Sequence, residues 1–169
     1  MNKKSDLSKE KFLEFYRQLM TVRRFEEKVD DFFRQGKVVG VQDGDSITVL
    51  HDGKGEKIRL YGVDCPEGGQ DFGNRAKEFT SSLVFERDVE VKPVTTDRYG
   101  RTVAMVCVGN KCVSEELIRS GFGWVFTRYC TESFCDQWRK LEEQARKSKL
   151  RLWAGPNPIP PWEYRRYKK

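Results

Sequence analysis

At 169 residues the chain has the size of one ordinary domain with extensions, long enough to bury a core without staples. Its formal net charge of +6 favours an anionic partner, nucleic acid or an acidic membrane surface. No apolar run approaches the roughly 18 residues of a membrane span, and no basic stretch followed by an apolar segment opens the chain as a secretory leader would.

Residues 5–35 carry Phe12, Phe15, Leu19, Val22, Phe25, Val29 and Phe32 at steps of three or four. That spacing predicts one charged amphipathic helix, stopped by Gly36. Its stripe is expected to pack on the rest of the chain or on a second copy, since Glu26, Glu27, Asp30 and Asp31 would be repelled by anionic lipid. From Lys37 the period becomes that of strands: Lys37–Gln42, Ser46–His51 and Lys57–Val63, separated by Asp/Gly turns. Asp71–Arg87 is expected to be a helix with Ala76, Phe79 and Leu83 on one face. Val89–Val94 and Thr102–Val108 return to the strand pattern. Ser114 is placed to cap a short helix, Glu115–Ser120, ending at Gly121. Asp136–Lys149 reads as a further helix with Trp138, Leu141 and Ala145 inward. The tail from Gly155 is rich in Pro, aromatic and basic residues and is expected to be extended. The fold class that follows is α+β: a five-stranded OB-type β-barrel with three packed helices, plus an N-terminal helical extension. The divisions are 1–36 for the helix, 37–154 for the barrel domain and 155–169 for the tail.

The five cysteines are Cys65, Cys107, Cys112, Cys130 and Cys135. If Gly109-Asn110 is a two-residue hairpin turn, Cys107 faces Cys112 at roughly 4.5 Å between Cα atoms, within disulfide range. Cys130 and Cys135 could close a second short loop. A four-cysteine zinc site and five reduced thiols are the competing readings.

Charges concentrate in three stretches. Asp43 and Asp45 flank Gly44; Arg59, Asp64 and Glu67 lie in RLYGVDCPE; Arg98 and Arg101 lie in TDRYGRT. If the strands bring 43–45 beside 64, three carboxylates converge. Two carboxylates about 4 Å apart repel by about 4 kcal/mol at an effective dielectric near 20, so such a cluster needs a cation or shifted protonation. Oxygen ligands alone specify a hard ion, Ca²⁺ or Mg²⁺. Taken singly, Asp-Gly-Asp is also ordinary turn chemistry.

The order D-G-D, then I-R-L-x-G-V-D-x-P-E, then D-R-Y-G-R resembles the thermonuclease (staphylococcal nuclease-like) family, from about Val38 to Trp153. The resemblance implies a Ca²⁺-dependent phosphodiesterase acting on DNA and RNA with low sequence specificity and leaving 3′-phosphate ends. Asp45 and Asp64 match the family's carboxylate metal ligands. Asp43 matches the acidic neighbour that holds the hydration shell, and Cys65 takes the position whose backbone carbonyl is a ligand, where many members have Thr. Glu67 matches the general base or water-orienting group. Arg59 and Arg101 match the phosphate-clamping arginines. Arg98, Tyr99 and Tyr129 match or lie near the positions that hold the terminal phosphate and stack a base, which suits single-stranded DNA and RNA.

Chemistry agrees with the resemblance. A guanidinium fork gives bidentate bonds to phosphate and stays charged, and a metal polarises and orients the phosphate. The tail's Arg165, Arg166, Lys168 and Lys169 are expected either to add salt-dependent affinity for nucleic acid or to form an ordinary solvated end. His51 has no nucleophile to activate and is read as structural. The alternative function is a non-catalytic nucleic-acid- or protein-binding module on the same barrel. A secreted or envelope location is favoured by the cysteine pairs.

Overall fold

The computed structural model describes residues 34–167. Five strands carry the architecture: β1 Arg34–Asp43, β2 Ser46–His51, β3 Lys54–Leu60, β5 Asp88–Thr96 and β6 Thr102–Val108. Strands β1, β2 and β3 form an antiparallel meander, β5 pairs antiparallel with both β1 and β6, and β3 pairs parallel with β6. That last pairing closes the ring, so the barrel has no free edge.

Alternation explains why these residues make strands. Ile47 and Val49, Ile58 and Leu60, Val89 and Val91, and Ala104 and Val106 are all buried two residues apart on their strands. Burying each large member contributes about 1.5–3 kcal/mol. Helix α1, Gly73–Val84, places Ala76, Thr80 and Val84 against β1 at steps of four. Helix α2, Val113–Arg119, packs on α3, Cys135–Lys147, which buries Trp138, Leu141 and Ala145 as its spacing predicts. Outside the barrel, two-residue strands β4, Val63–Asp64, and β8, Trp124–Val125, pair antiparallel.

The β6–β7 hairpin sets Cys107 opposite Cys112 and Val108 opposite Lys111 (Cys112 closes the two-residue β7, Lys111–Cys112). Both cysteine pairs are disulfides, Cys107–Cys112 and Cys130–Cys135, and Cys65 is a buried free thiol. The zinc and reduced-thiol readings are thereby set aside.

Four expectations are corrected. Strand β1 begins at Arg34, so Gly36 is not a helix stop. It pairs with Val89, and a Cβ there would lie 2.5 Å from Val49 Cγ1. The rest of the predicted 5–35 helix, with its packing or self-association role, lies outside the described residues. Ser114 does not cap α2; it is buried in the helix and its hydroxyl donates to the Tyr61 carbonyl, 2.9 Å away. The tail is not simply extended. After a 3₁₀ turn at Arg151–Ala154 and a Pro-rich stretch, it forms α4, Pro161–Tyr167, because Pro at the first helical position gives up no needed donor. The fourth correction concerns Asp43 and belongs to the site. Among the described residues, no helix is long and apolar enough to cross a membrane.

Candidate active site

The D-G-D turn sits between β1 and β2, and its glycine is demanded by packing. A Cβ on Gly44 would lie 2.6 Å from Cys65 Cβ and 2.9 Å from Ala76 Cβ, and the Thr80 hydroxyl donates to the Gly44 carbonyl at 2.6 Å. Helix α1 thus presses the turn onto the Asp64–Cys65 segment. Asp45 and Asp64 are both buried, Asp64 completely.

Buried carboxylates need compensation, and here guanidinium groups provide it. Arg59 projects from β3, where it pairs with Ser46 of β2 on one side and Val103 of β6 on the other. Its Nη1 is paired with Asp45 Oδ1, and its Nη2 donates to Asp64 Oδ1 at 2.7 Å and to the Val63 carbonyl at 3.3 Å. The second Asp45 oxygen accepts the Cys65 backbone N–H at 2.6 Å. Asp43 does not join the pair: its Oδ1 accepts the Asp45 backbone N–H at 3.1 Å, an Asx turn that directs the carboxylate to its own loop. Among the described residues, no three His, Cys, Asp or Glu side chains cluster so as to hold a metal ion, so the expected three-carboxylate convergence is two carboxylates and a turn-forming neighbour.

Arg101 immediately precedes β6, the strand that pairs with β3. Its Nε donates to Asp97 Oδ2 at 2.7 Å, and its Nη1 reaches the Ser46 hydroxyl at 3.4 Å, which itself donates to Asp45 Oδ1 at 3.4 Å. Asp97 also accepts the backbone N–H groups of Tyr99 and Arg101, each at 2.9 Å. Burial pulls the Asp97 carboxyl up, but those hydrogen bonds outweigh it and hold it below the usual carboxylate value. On the same loop Arg98 lies over the Tyr99 ring at 4.7 Å, and Tyr99 is exposed. Tyr129 is also exposed and packs on Phe126, with Arg128 over its ring at 5.5 Å.

Glu67 sits on a loop tied at both ends. Its N–H donates to Gln70 Oε1 at 2.9 Å, its carbonyl accepts the Gln70 N–H at 2.8 Å, and a Cβ on Gly73 would meet that carbonyl oxygen at 2.0 Å. Arg165 of α4 reaches this loop: Nη1 lies 2.6 Å from Glu67 Oε1, and Nη1 and Nη2 lie 3.3 and 2.8 Å from the two Asp64 oxygens. Burial works against the charged Arg165, and the bonds to Asp64 and Glu67 overcome it, so its affinity for the proton is raised. Arg165 is therefore not a free tail cation.

The donor chemistry fits a hard cation. Asp45, Asp64 and the Cys65 carbonyl offer only oxygen, and two guanidinium groups already stand as cations on the carboxylates. The Cys65 thiol is held neutral chiefly by burial, with Arg59 opposing and Asp64 and Asp43 reinforcing it, so no thiolate competes as a soft ligand.

Arg59, Asp45, Asp64, Glu67 and Arg101 thus form one connected network, joined through Ser46 and Arg165. Asp97, Ser46, Gln70 and Arg165 were not foreseen as its members. Asp97 stands four residues before Arg101 and Ser46 opposite Arg59, signals a hairpin reading contains; Arg165 is 101 residues from Asp64 and has none.

Comparison with known proteins places the chain in a family. The family profile described as "Staphylococcal nuclease homologue" matches residues 57–155. The chain is 35% identical over 144 residues to a micrococcal nuclease of Shigella flexneri, covering 80% of this chain and 82% of that protein. It is 37% identical over 134 residues to an uncharacterized endonuclease of Escherichia coli O157:H7, covering 79% and 86%. It is 34% identical over 134 residues to another uncharacterized endonuclease, of Haemophilus influenzae, covering 79% and 74%.

Proposed function

This chain belongs to the staphylococcal nuclease homologue family and is a nuclease, a hydrolase of phosphodiester bonds; from that premise we propose that it is calcium-dependent and cuts single-stranded DNA and RNA with low sequence specificity. The observation that carries the reading is the Arg59 guanidinium set between buried Asp45 and Asp64, with Arg101 joined to them through Ser46.

Asp45, Asp64 and the Cys65 carbonyl would hold the calcium, and the ion would supply Lewis-acid polarisation of the phosphate. Few protein ligands imply weak affinity, about 10⁻⁴–10⁻³ M. Glu67 orients a water and takes its proton at a carboxylate oxygen. That water oxygen bonds to phosphorus in line with the 5′-oxygen. The P–O5′ bond breaks and the 5′-oxygen takes a proton from solvent water, leaving a 3′-phosphate and a 5′-hydroxyl. Arg59 and Arg101 hold the nonbridging oxygens as their charge grows. Exposed Tyr99 and Tyr129 offer stacking faces that any base can use. The disulfide pairs and the weak calcium affinity support a secreted or envelope location.

Digestion of single-stranded DNA with millimolar Ca²⁺, repeated with a chelator, tests the reading. Cleavage that persists in the chelator overturns the calcium requirement, and cleavage of duplex only overturns the strand preference.

A further inference from the structure

Helix α4 is fastened over the loop that carries Glu67. Trp162 stacks on Phe126 with ring centroids 5.6 Å apart and planes 9° from parallel. The Tyr164 hydroxyl donates to the Gly69 carbonyl at 2.9 Å, and Gln70 Nε2 donates to the Ile159 carbonyl at 3.1 Å. These contacts deliver one cation, Arg165, onto Asp64 Oδ2 at 2.8 Å and Glu67 Oε1 at 2.6 Å. Arg166 next to it is exposed and makes no such contact with the site.

With Arg59 on Asp64 Oδ1 and Arg165 on Asp64 Oδ2, each oxygen of this wholly buried carboxylate has a guanidinium partner. A metal ion at Asp64 and the Arg165 guanidinium therefore claim the same atom, and two cations at that separation repel. Exchanging one guanidinium for a divalent ion also adds a positive charge beside Glu67, where an anionic phosphate must dock.

We propose that Arg165 is a tethered cation that competes with the metal for Asp64 and Glu67, so that metal binding expels Arg165 and undocks α4. This rests on the calcium reading above. The helix keeps Asp64 compensated in the metal-free protein and sets the calcium concentration at which the site fills. Removing the competitor is expected to tighten calcium binding, about tenfold where the helix leaves the site competent about a tenth of the time.

Calcium titration calorimetry on the full chain, without nucleic acid, tests this with Arg165→Gln and, as an equal change of charge, Arg166→Gln. Expected is about tenfold tighter binding for Arg165→Gln and a value within twofold of the unsubstituted chain for Arg166→Gln. Hydrogen exchange of the unsubstituted chain needs no variant, and calcium is expected to speed exchange of the 162–167 amides. Equal affinities in all three chains, equal tightening by both substitutions, or calcium-insensitive exchange in α4 overturns the proposal while leaving the calcium site standing. Heat-silent titrations of all three chains, with no calcium uptake by equilibrium dialysis, overturn the calcium reading and the proposal together.

Discussion

Asp97 and Arg101 form a closed unit: the Asp97 carboxylate accepts the Arg101 backbone N–H on one oxygen and the Arg101 Nε–H on the other. One side chain therefore sets both the loop and the aim of the guanidinium. Because the Asp97 carboxyl lies below its ordinary value in the fold, its stabilising effect is complete above the unfolded value of about 3.9. It is lost as pH falls through the lower folded value. Amide protection of Tyr99 and Arg101 is expected to hold from neutral pH to about pH 4 and to fade only in stronger acid. In Asp97→Asn the uncharged amide holds Arg101 less firmly, and kcat/KM on single-stranded DNA is expected to fall about tenfold, equivalent to about 1.4 kcal/mol, with little change in Tm.

The two site arginines are expected to separate in stability while agreeing in activity. Removing either costs roughly 10²–10³ in rate, as losing one preorganised donor does, and Lys cannot restore the fork. Arg59→Ala also leaves buried Asp45 without its guanidinium and Asp64 with Arg165 alone, a loss of about 3–5 kcal/mol. Arg101→Ala breaks a partly exposed pair worth less than about 1 kcal/mol. Urea unfolding beside a cleavage assay checks both, and equal unfolding midpoints for the two variants would contradict the burial argument.

Gly73 is expected to matter through Glu67. Its Cβ in Gly73→Ala would lie 2.0 Å from the Glu67 carbonyl oxygen, so the loop must shift and misplace the carboxylate. Activity is expected to fall more than tenfold with an unchanged far-ultraviolet dichroism spectrum. Gly68→Ala, where a Cβ meets nothing within 4 Å, is expected to stay close to the unsubstituted enzyme.

Thiol chemistry gives a fourth check. Denatured, unreduced protein is expected to show one thiol, that of Cys65, and the folded protein none, because Cys65 is buried. Each short-loop disulfide contributes about 2 kcal/mol in the chain-entropy account. Reduction is therefore expected to lower Tm by several degrees per bridge.

The barrel was legible because its core-facing residues recur two apart, as in Ile47/Val49 and Ile58/Leu60, and because Asp/Gly turns separate the first strands. The Cys107–Cys112 register followed from a two-residue turn alone. Asp45, Arg59, Asp64, Glu67 and Arg101 were readable as a group because the motifs lie on strands and turns that one barrel mouth gathers. Ser114 misled because a helix-capping residue type can equally turn its hydroxyl to another segment's carbonyl, here that of Tyr61. The tail misled because composition reports Pro content and not what a following aromatic will stack on; Trp162 on Phe126 decides where the chain goes. Asp43 looked like a third ligand because spacing cannot say whether a carboxylate turns outward or caps its own loop.

The parallel seam between β3 and β6 has a consequence for when the enzyme becomes dangerous. Arg59 lies in β3 opposite Val103 of β6, just beyond Arg101, so the two arginines become neighbours only once that seam zips shut. A chain still emerging from synthesis, or a fragment cut short before Thr102, has no closed ring and cannot bring them together. Destructive capacity is thus tied to closure of that seam rather than to the presence of either motif.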